Sequence, residues 1–211
     1  MTEVRSEPAA ERGFFIVFEG GDGSGKSTQA SRLAARIDAV LTREPGGTAV
    51  GAKIRHLVLD PTHPELADRT EALLMAADRA QHVAELIQPT ITNGRHVVSD
   101  RYVYSSLAYQ GVGRGLGIDE VGAVNTFGTG GLEPDLVVLL EVDSSVASER
   151  LGDELDRIER AGSSLAQTVA ATYREFADAN PDLWAVVNGT GTPDEVGQRI
   201  DDVVMQRLGL A

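Results

Sequence analysis

The sequence predicts an α/β fold in which a five-stranded, mostly parallel sheet is covered by helices on both faces. Two observations predict it. Short apolar runs alternate with stretches of helical apolar spacing along the chain, the order expected of repeated strand and helix units. Turn-forming Gly, Pro, Asn and Asp residues bound those runs, as they bound buried strands.

The elements follow in order. Phe14 to Glu19 is a short apolar run, then comes the glycine-rich Gly20 to Gly25, then apolar spacing at Ala30, Leu33, Ala34 and Ile37: strand, loop, helix. Val40 to Thr42 reads as a second strand, followed by a turn at Pro45, Gly46 and Gly47 and a helical pattern through Ile54, Leu57, Val58 and Leu59. Asp68 to Thr92 reads as one long helix with Leu73, Leu74, Ala77, Val83, Leu86 and Ile87 on its buried side, ended by Asn93-Gly94. His96 to Ser99, Leu136 to Val142 and Trp184 to Val187 complete the five strands. The stretches Gly111 to Gly117 and Glu149 to Gly162 are the places where mobile loops are expected.

At 211 residues and 42% hydrophobic content, one compact domain covering 13–211 is expected, after a polar leader over 1–12 that reads as disordered and lacks the apolar segment of a signal peptide. No stretch approaches a membrane span. The absence of cysteine excludes disulfides and thiol chemistry and fits a cytoplasmic location. A net charge of −13 argues against nucleic acid or an anionic membrane as partner.

Gly20-Gly21-Asp22-Gly23-Ser24-Gly25-Lys26-Ser27 satisfies G-x-x-x-x-G-K-[ST] between a strand and a helix, the setting the pattern needs. Backbone N–H groups there can wrap a phosphate, Lys26 can bridge β- and γ-phosphates, and the Ser27 hydroxyl can hold Mg²⁺. The expected architecture is therefore a three-layer α/β/α P-loop NTPase fold. The cradle alone does not choose a reaction, because kinases, GTPases and motor ATPases share it. Asp100-Arg101 ends a predicted strand, at the edge where parallel sheets bind ligands. Arg43, Arg55, Arg79 and Arg101 can converge there on a second phosphate, with Arg101 and Arg79 better placed than Arg55 and Arg43.

Several segments, in order, resemble the thymidylate kinase family. They are Phe18 to Thr28, Thr42-Arg43-Glu44-Pro45-Gly46-Gly47-Thr48, Asp78 to His82, Asp100-Arg101-Tyr102 through Ser105 to Gly111, and Glu154 to Glu159. The resemblance implies ATP bound over Gly20, Gly21, Asp22, Gly23, Ser24, Gly25, Lys26, Ser27 and Thr28, with Mg²⁺ at Ser27 and Asp100. It implies a dTMP pocket drawn from Asp22, Glu44, Pro45, Arg55, Met75, Arg79, Arg101, Ser105, Ser106, Tyr109 and Gln110, in which a tyrosine like Tyr109 disfavours a ribose 2′-OH. It also implies a homodimer, although the long helix could equally bury its apolar stripe within one subunit.

Two departures qualify the resemblance. Where family members commonly carry a phenylalanine that stacks on thymine, this chain has Met75, a polarizable surface that still suits a ring. Its phosphate loop carries Gly23 and no arginine, which implies the bacterial type whose helical lid, here about 149–162, supplies the arginine. Arg150 and Arg157 are the candidates, joining Asp22, Lys26 and Arg101 in the expected catalytic set. His56, His63, His82 and His96 have no metal-ligand spacing and read as surface or packing residues. The alternatives are a kinase for another monophosphate, kept open by Met75, and a nucleotide-binding regulatory protein; a guanine-reading N-K-x-D segment is absent.

Overall fold

The computed structural model describes residues 12–62, 66–150, 157–158 and 162–210. Five strands, β1 (Phe15–Glu19), β2 (Val40–Arg43), β3 (Val97–Asp100), β4 (Leu136–Glu141) and β5 (Trp184–Asn188), form one parallel sheet in the order β2-β3-β1-β4-β5. The chain leaves β1 toward β2 on one side and later crosses from β3 to β4 on the other. The crevice that results lies outside the carboxyl ends of the strands. Register brings those ends level, with Phe18 and Arg43 both opposite Asp100.

Among the described residues the α-helices are α1 (Lys26–Arg36), α2 (Ala49–Leu59), α3 (Asp68–His82), α4 (Gln88–Thr92), α5 (Val103–Ser106), α6 (Ile118–Thr129), α7 (Ser144–Arg150), α8 (Ser163–Ala179) and α9 (Pro193–Leu208). Alternation along β1 divides the core. Ile16 and Phe18 face Leu33 of α1 and Val196, Ile200 and Val204 of α9, while Phe15 and Val17 face Ile87, Tyr102, Tyr173 and Trp184. Helices thus cover both faces, which is why the buried residues of β4 and all those of β1 before Glu19 are apolar.

Two expectations change. The Asp68 to Thr92 helix runs from α3 into α4 through a π-helical turn, Val83–Ile87. In α3 the buried residues are Glu71, Met75, Ala76, Asp78, Arg79 and His82, whereas Leu73 is 58% exposed and Ala77 is also outside. The α3 face lines a polar site rather than the apolar core, so hydropathy misplaced Leu73 and Ala77, while Val83, Leu86 and Ile87 pack on the core as expected. The wider π turn takes an extra residue, and the buried set continues as Val83, Ile87 and Ile91. Gly111 to Gly113, expected in a loop, close a second π-helical segment, Leu107–Gly113.

Arg12, expected in the leader, pairs with Asp135 at 2.8 Å; the rest of that leader lies outside the described residues, as do 151–156 and 159–161 of the expected lid. No described helix is long and apolar enough to cross a membrane.

Candidate active site

Beyond β1 the loop Gly20 to Gly25 turns sharply and α1 begins. Gly23 has φ 77°, and a Cβ there would lie 2.3 Å from the Ala147 carbonyl oxygen. Helix α7 therefore rests directly on the loop and leaves no room for an arginine at position 23. Gly25, at φ 96°, starts α1 without a side-chain cap, which leaves the helix's first N–H groups for an anion. Lys26 Nζ reaches across the loop to donate to the Gly21 carbonyl at 2.8 Å. Burial and then the neighbouring Arg101 push the Lys26 pKa down to about 8, against the pull of Asp22, Asp100 and Glu19. Ser27 Oγ donates to Asp100 Oδ2 at 2.5 Å, so two oxygen ligands of the kind Mg²⁺ takes stand side by side at the loop. Arg150, ending α7, donates to the carbonyls of Ser24 and Gly189 at 3.4 and 3.3 Å.

The other half of the site is made of side chains. Arg101 leaves β3 with φ 75°, a left-handed conformation costly for arginine. The Arg101 N–H donates to Phe18 O at 2.9 Å and its carbonyl accepts from Ser99 Oγ at 2.8 Å, which holds that conformation. The guanidinium then points back at the phosphate loop. It meets Asp22 at 2.5 Å, Ser105 Oγ at 3.1 Å and the Tyr173 hydroxyl at 3.2 Å, and lies 5.3 Å from the centre of the Tyr109 ring. Burial opposes its charge, but Tyr109, Asp22 and other neighbours outweigh burial and raise its pKa. Burial likewise pushes Asp22 up, yet Arg101 and Lys26 prevail and hold it below the usual range. Beneath them Glu19 accepts from Tyr102 N, Ser105 N and Ser105 Oγ at 3.0, 3.1 and 2.7 Å; burial raises its pKa all the same.

A second buried network backs the turn after β2. Glu44 accepts from Arg79 Nε at 2.6 Å and pairs with His82 Nδ1 at 2.9 Å, and His82 Nε2 meets Thr42 Oγ1 at 2.6 Å. Arg79 donates further to Ser106 Oγ, Asn125 Oδ1 and the Tyr102 carbonyl. Asp78 accepts from Gly46 N at 3.0 Å, and burial, then repulsion from Glu44, lifts its pKa to about 6. Arg55 donates to Pro45 O at 3.0 Å.

The two halves share one cleft of about 540 Å³. Its lining holds the cations Lys26, Arg43, Arg55, Arg79, Arg101 and Arg150 against the carboxylates Asp22, Glu44 and Asp100. A cationic cleft in a chain of net charge −13 is a focused site for polyanions.

The thymidylate kinase family model matches residues 18–200. The chain belongs to the thymidylate kinase family. It is 45% identical to the thymidylate kinase of Lactobacillus delbrueckii subsp. bulgaricus, an alignment covering 85% of this chain and 89% of that protein. It is 39% identical to the Oenococcus oeni thymidylate kinase over 94% and 98% of the two chains, and 42% identical to that of Bifidobacterium longum over 92% and 98%.

Most residues singled out from the sequence meet at this cleft. Asp22, Gly23, Gly25, Lys26, Ser27, Thr28, Glu44, Pro45, Arg55, Met75, Arg79, Asp100, Arg101, Ser105, Ser106, Tyr109, Gln110 and Arg150 line it. Gly20, Gly21 and Ser24 complete the loop that bounds it. Arg157 is held elsewhere: Nη2 donates to Glu71 at 2.5 Å and Nε to the Val58 carbonyl at 2.6 Å, while its neighbour Ile158 faces the cleft. His82, expected as a surface or packing residue, is fully buried within the Glu44 network.

Sequence reasoning assigned no role to Glu71, Asn125, Tyr173 or the Glu19 carboxylate. Glu19 carried a usable signal, a carboxylate closing a buried apolar run. Tyr173 carried none, since it sits in the ordinary helical pattern of α8 and reaches Arg101 only through the fold.

Proposed function

We propose that the protein transfers the γ-phosphoryl group of ATP to dTMP, giving dTDP and ADP for dTTP synthesis, by direct in-line transfer. The observation that carries this reading is the Arg101–Asp22 contact at 2.5 Å, which joins the phosphate loop to the side-chain half of the cleft through one guanidinium. Such a cation can serve the acceptor phosphate and the migrating group together.

In this reading Gly20 to Thr28 hold ATP, with Lys26 giving up its loop carbonyl to reach the β- and γ-phosphates. Ser27 and Asp100 hold Mg²⁺, which when bound neutralises phosphate charge. Arg101, at Asp22, and Arg150, at the Ser24 carbonyl, add positive charge beside the loop, and Asp22 orders Arg101. Glu44, Pro45, Arg55, Arg79, Ser105, Ser106, Tyr109 and Gln110 shape the acceptor pocket, and Tyr109 crowds a ribose 2′-OH. Met75 offers thymine an apolar face; it is also the one feature that favours a second reading, a different pyrimidine monophosphate. A closed cleft excludes water, so phosphate passes to the acceptor and not to solvent. The domain is read as a single kinase unit with a lid, acting in the cytoplasm without nucleic acid or membrane. A homodimer is supported by Leu73 on α3 and Phe127 on the adjoining α6, which are 58% and 91% exposed.

The test is to follow the label from γ-labelled ATP with and without dTMP. Label recovered in dTDP is expected; label released only as inorganic phosphate, at a rate indifferent to dTMP, contradicts a kinase.

A further inference from the structure

Glu71 lies in the first turn of α3 and is 1% exposed. Its Oε1 accepts from Gln110 Nε2 at 2.9 Å and its Oε2 from Arg157 Nη2 at 2.5 Å, while Arg114 spans both oxygens at 3.4 and 3.3 Å. A buried carboxylate is costly unless paired and hydrogen-bonded, and here two guanidiniums and an amide meet it. These contacts outweigh burial and hold its pKa below the usual range.

Arg157 extends the tie. Its Nε donates to the Val58 carbonyl at 2.6 Å and its backbone N–H to the Leu59 carbonyl at 3.1 Å. One carboxylate thus gathers the end of α2, the start of α3, the Leu107–Gly113 segment and the turn at Arg157. Leu59, Gln110, Ile158 and Met75, beside or among the tied residues, all face the cleft. An arginine bonded through its backbone, Nε and Nη2 to these partners is oriented toward this wall, not toward the phosphate loop.

We propose that Glu71 is a positioning residue that seats Arg157 and Gln110, and so builds the wall of Leu59, Ile158 and Met75 that encloses the acceptor. The inference rests on the reading of that end of the cleft as the dTMP pocket. It assigns Arg157 to acceptor binding and water exclusion, and leaves the migrating phosphate to Lys26, Arg101 and Arg150.

Glu71→Gln keeps the shape and removes the charge. Its KM for dTMP is expected to rise about tenfold, with kcat within about twofold and KM for ATP unchanged, the pattern of a lost binding contact. ATP hydrolysis without transfer should rise relative to dTDP formation. Arg157→Gln should reproduce the KM change, and the double variant should be no worse than the more affected single one, because both remove the same contact. A merely structural role would lower stability without this split or this coupling. Hydrogen exchange at the amides of Arg157 and Ile158, measured without substrate, should quicken about tenfold in Glu71→Gln. Unchanged exchange, additive variants, or an Arg157→Gln defect confined to kcat would overturn the proposal. A wild-type protein that ignores dTMP would defeat the substrate reading instead, and the exchange measurement would still decide whether Glu71 seats Arg157.

Discussion

The two halves of the cleft, proposed above as donor and acceptor sites, are built on opposite principles. The donor half is backbone: glycines, the open end of α1 and one lysine within a continuous segment, Gly20 to Ser27. The acceptor half is side chains drawn from β2, α2, α3, α5 and the Leu107–Gly113 segment, held by buried ion pairs such as Glu44–Arg79 at 2.6 Å. A phosphate needs only N–H groups and charge, so a short loop suffices. A base and sugar need shape, and shape in a cleft comes from several elements fixed against one another.

The largest effect should come from the donor half. Lys26→Ala is expected to lower kcat by about 10³-fold, the scale of a lost transition-state cation, while folding stability holds, because burial already disfavours this charge. Steady-state turnover and denaturant unfolding check the pair of outcomes; a large loss of stability would break the contrast between a generic loop and a structural wall.

Arg101→Ala should cost about 10²-fold in kcat/KM for dTMP, and Arg101→Lys should recover only part, because a point charge cannot meet Asp22, Ser105 and Tyr173 together. Kinetics that fell with ATP and not with dTMP would move Arg101 to the donor half.

Asp78 sharpens the comparison through pH. Its folded pKa of about 6 lies above the ordinary carboxylate value, so between roughly pH 4 and 6 the folded state keeps a proton that the unfolded chain has lost. Its ionisation therefore costs stability as pH rises through that window, by at most about 2–3 kcal/mol. Unfolding free energies of wild type and Asp78→Asn should diverge toward pH 7.5 in favour of the variant and converge near pH 4.5. A gap that widened on acidification would contradict the sign.

The smallest effect concerns Lys26. With its pKa near 8 in the free protein, phosphate binding should draw it back up, so ATP should bind with uptake of roughly half a proton at pH 8 and almost none at pH 6.5. Calorimetry in two buffers of different ionisation enthalpy measures this directly.

Legibility in the sequence follows the same division. All five strands and the phosphate loop were readable, because apolar runs and a contiguous Gly-Lys-Ser pattern are local signals. Leu73 was misread as core, and the burial of Glu71 beside it was not foreseen; only tertiary partners make such a charge tolerable inside. The Arg101 position was inferred from a strand end, but its support by Tyr173, 72 residues away, was not. Arg150 and Arg157 looked interchangeable as lid arginines, and their partners separate them: loop carbonyls for one, Glu71 for the other.

The most direct test of a generic donor half joined to a selective acceptor half is ADP release with ATP and Mg²⁺ when dTMP, dUMP, UMP, CMP, AMP and GMP are offered separately. The highest kcat/KM is expected with dTMP, with UMP far behind because Tyr109 and the side-chain wall reject it, and with one KM for ATP throughout. Comparable turnover with several of these monophosphates, or preference for another, would contradict it.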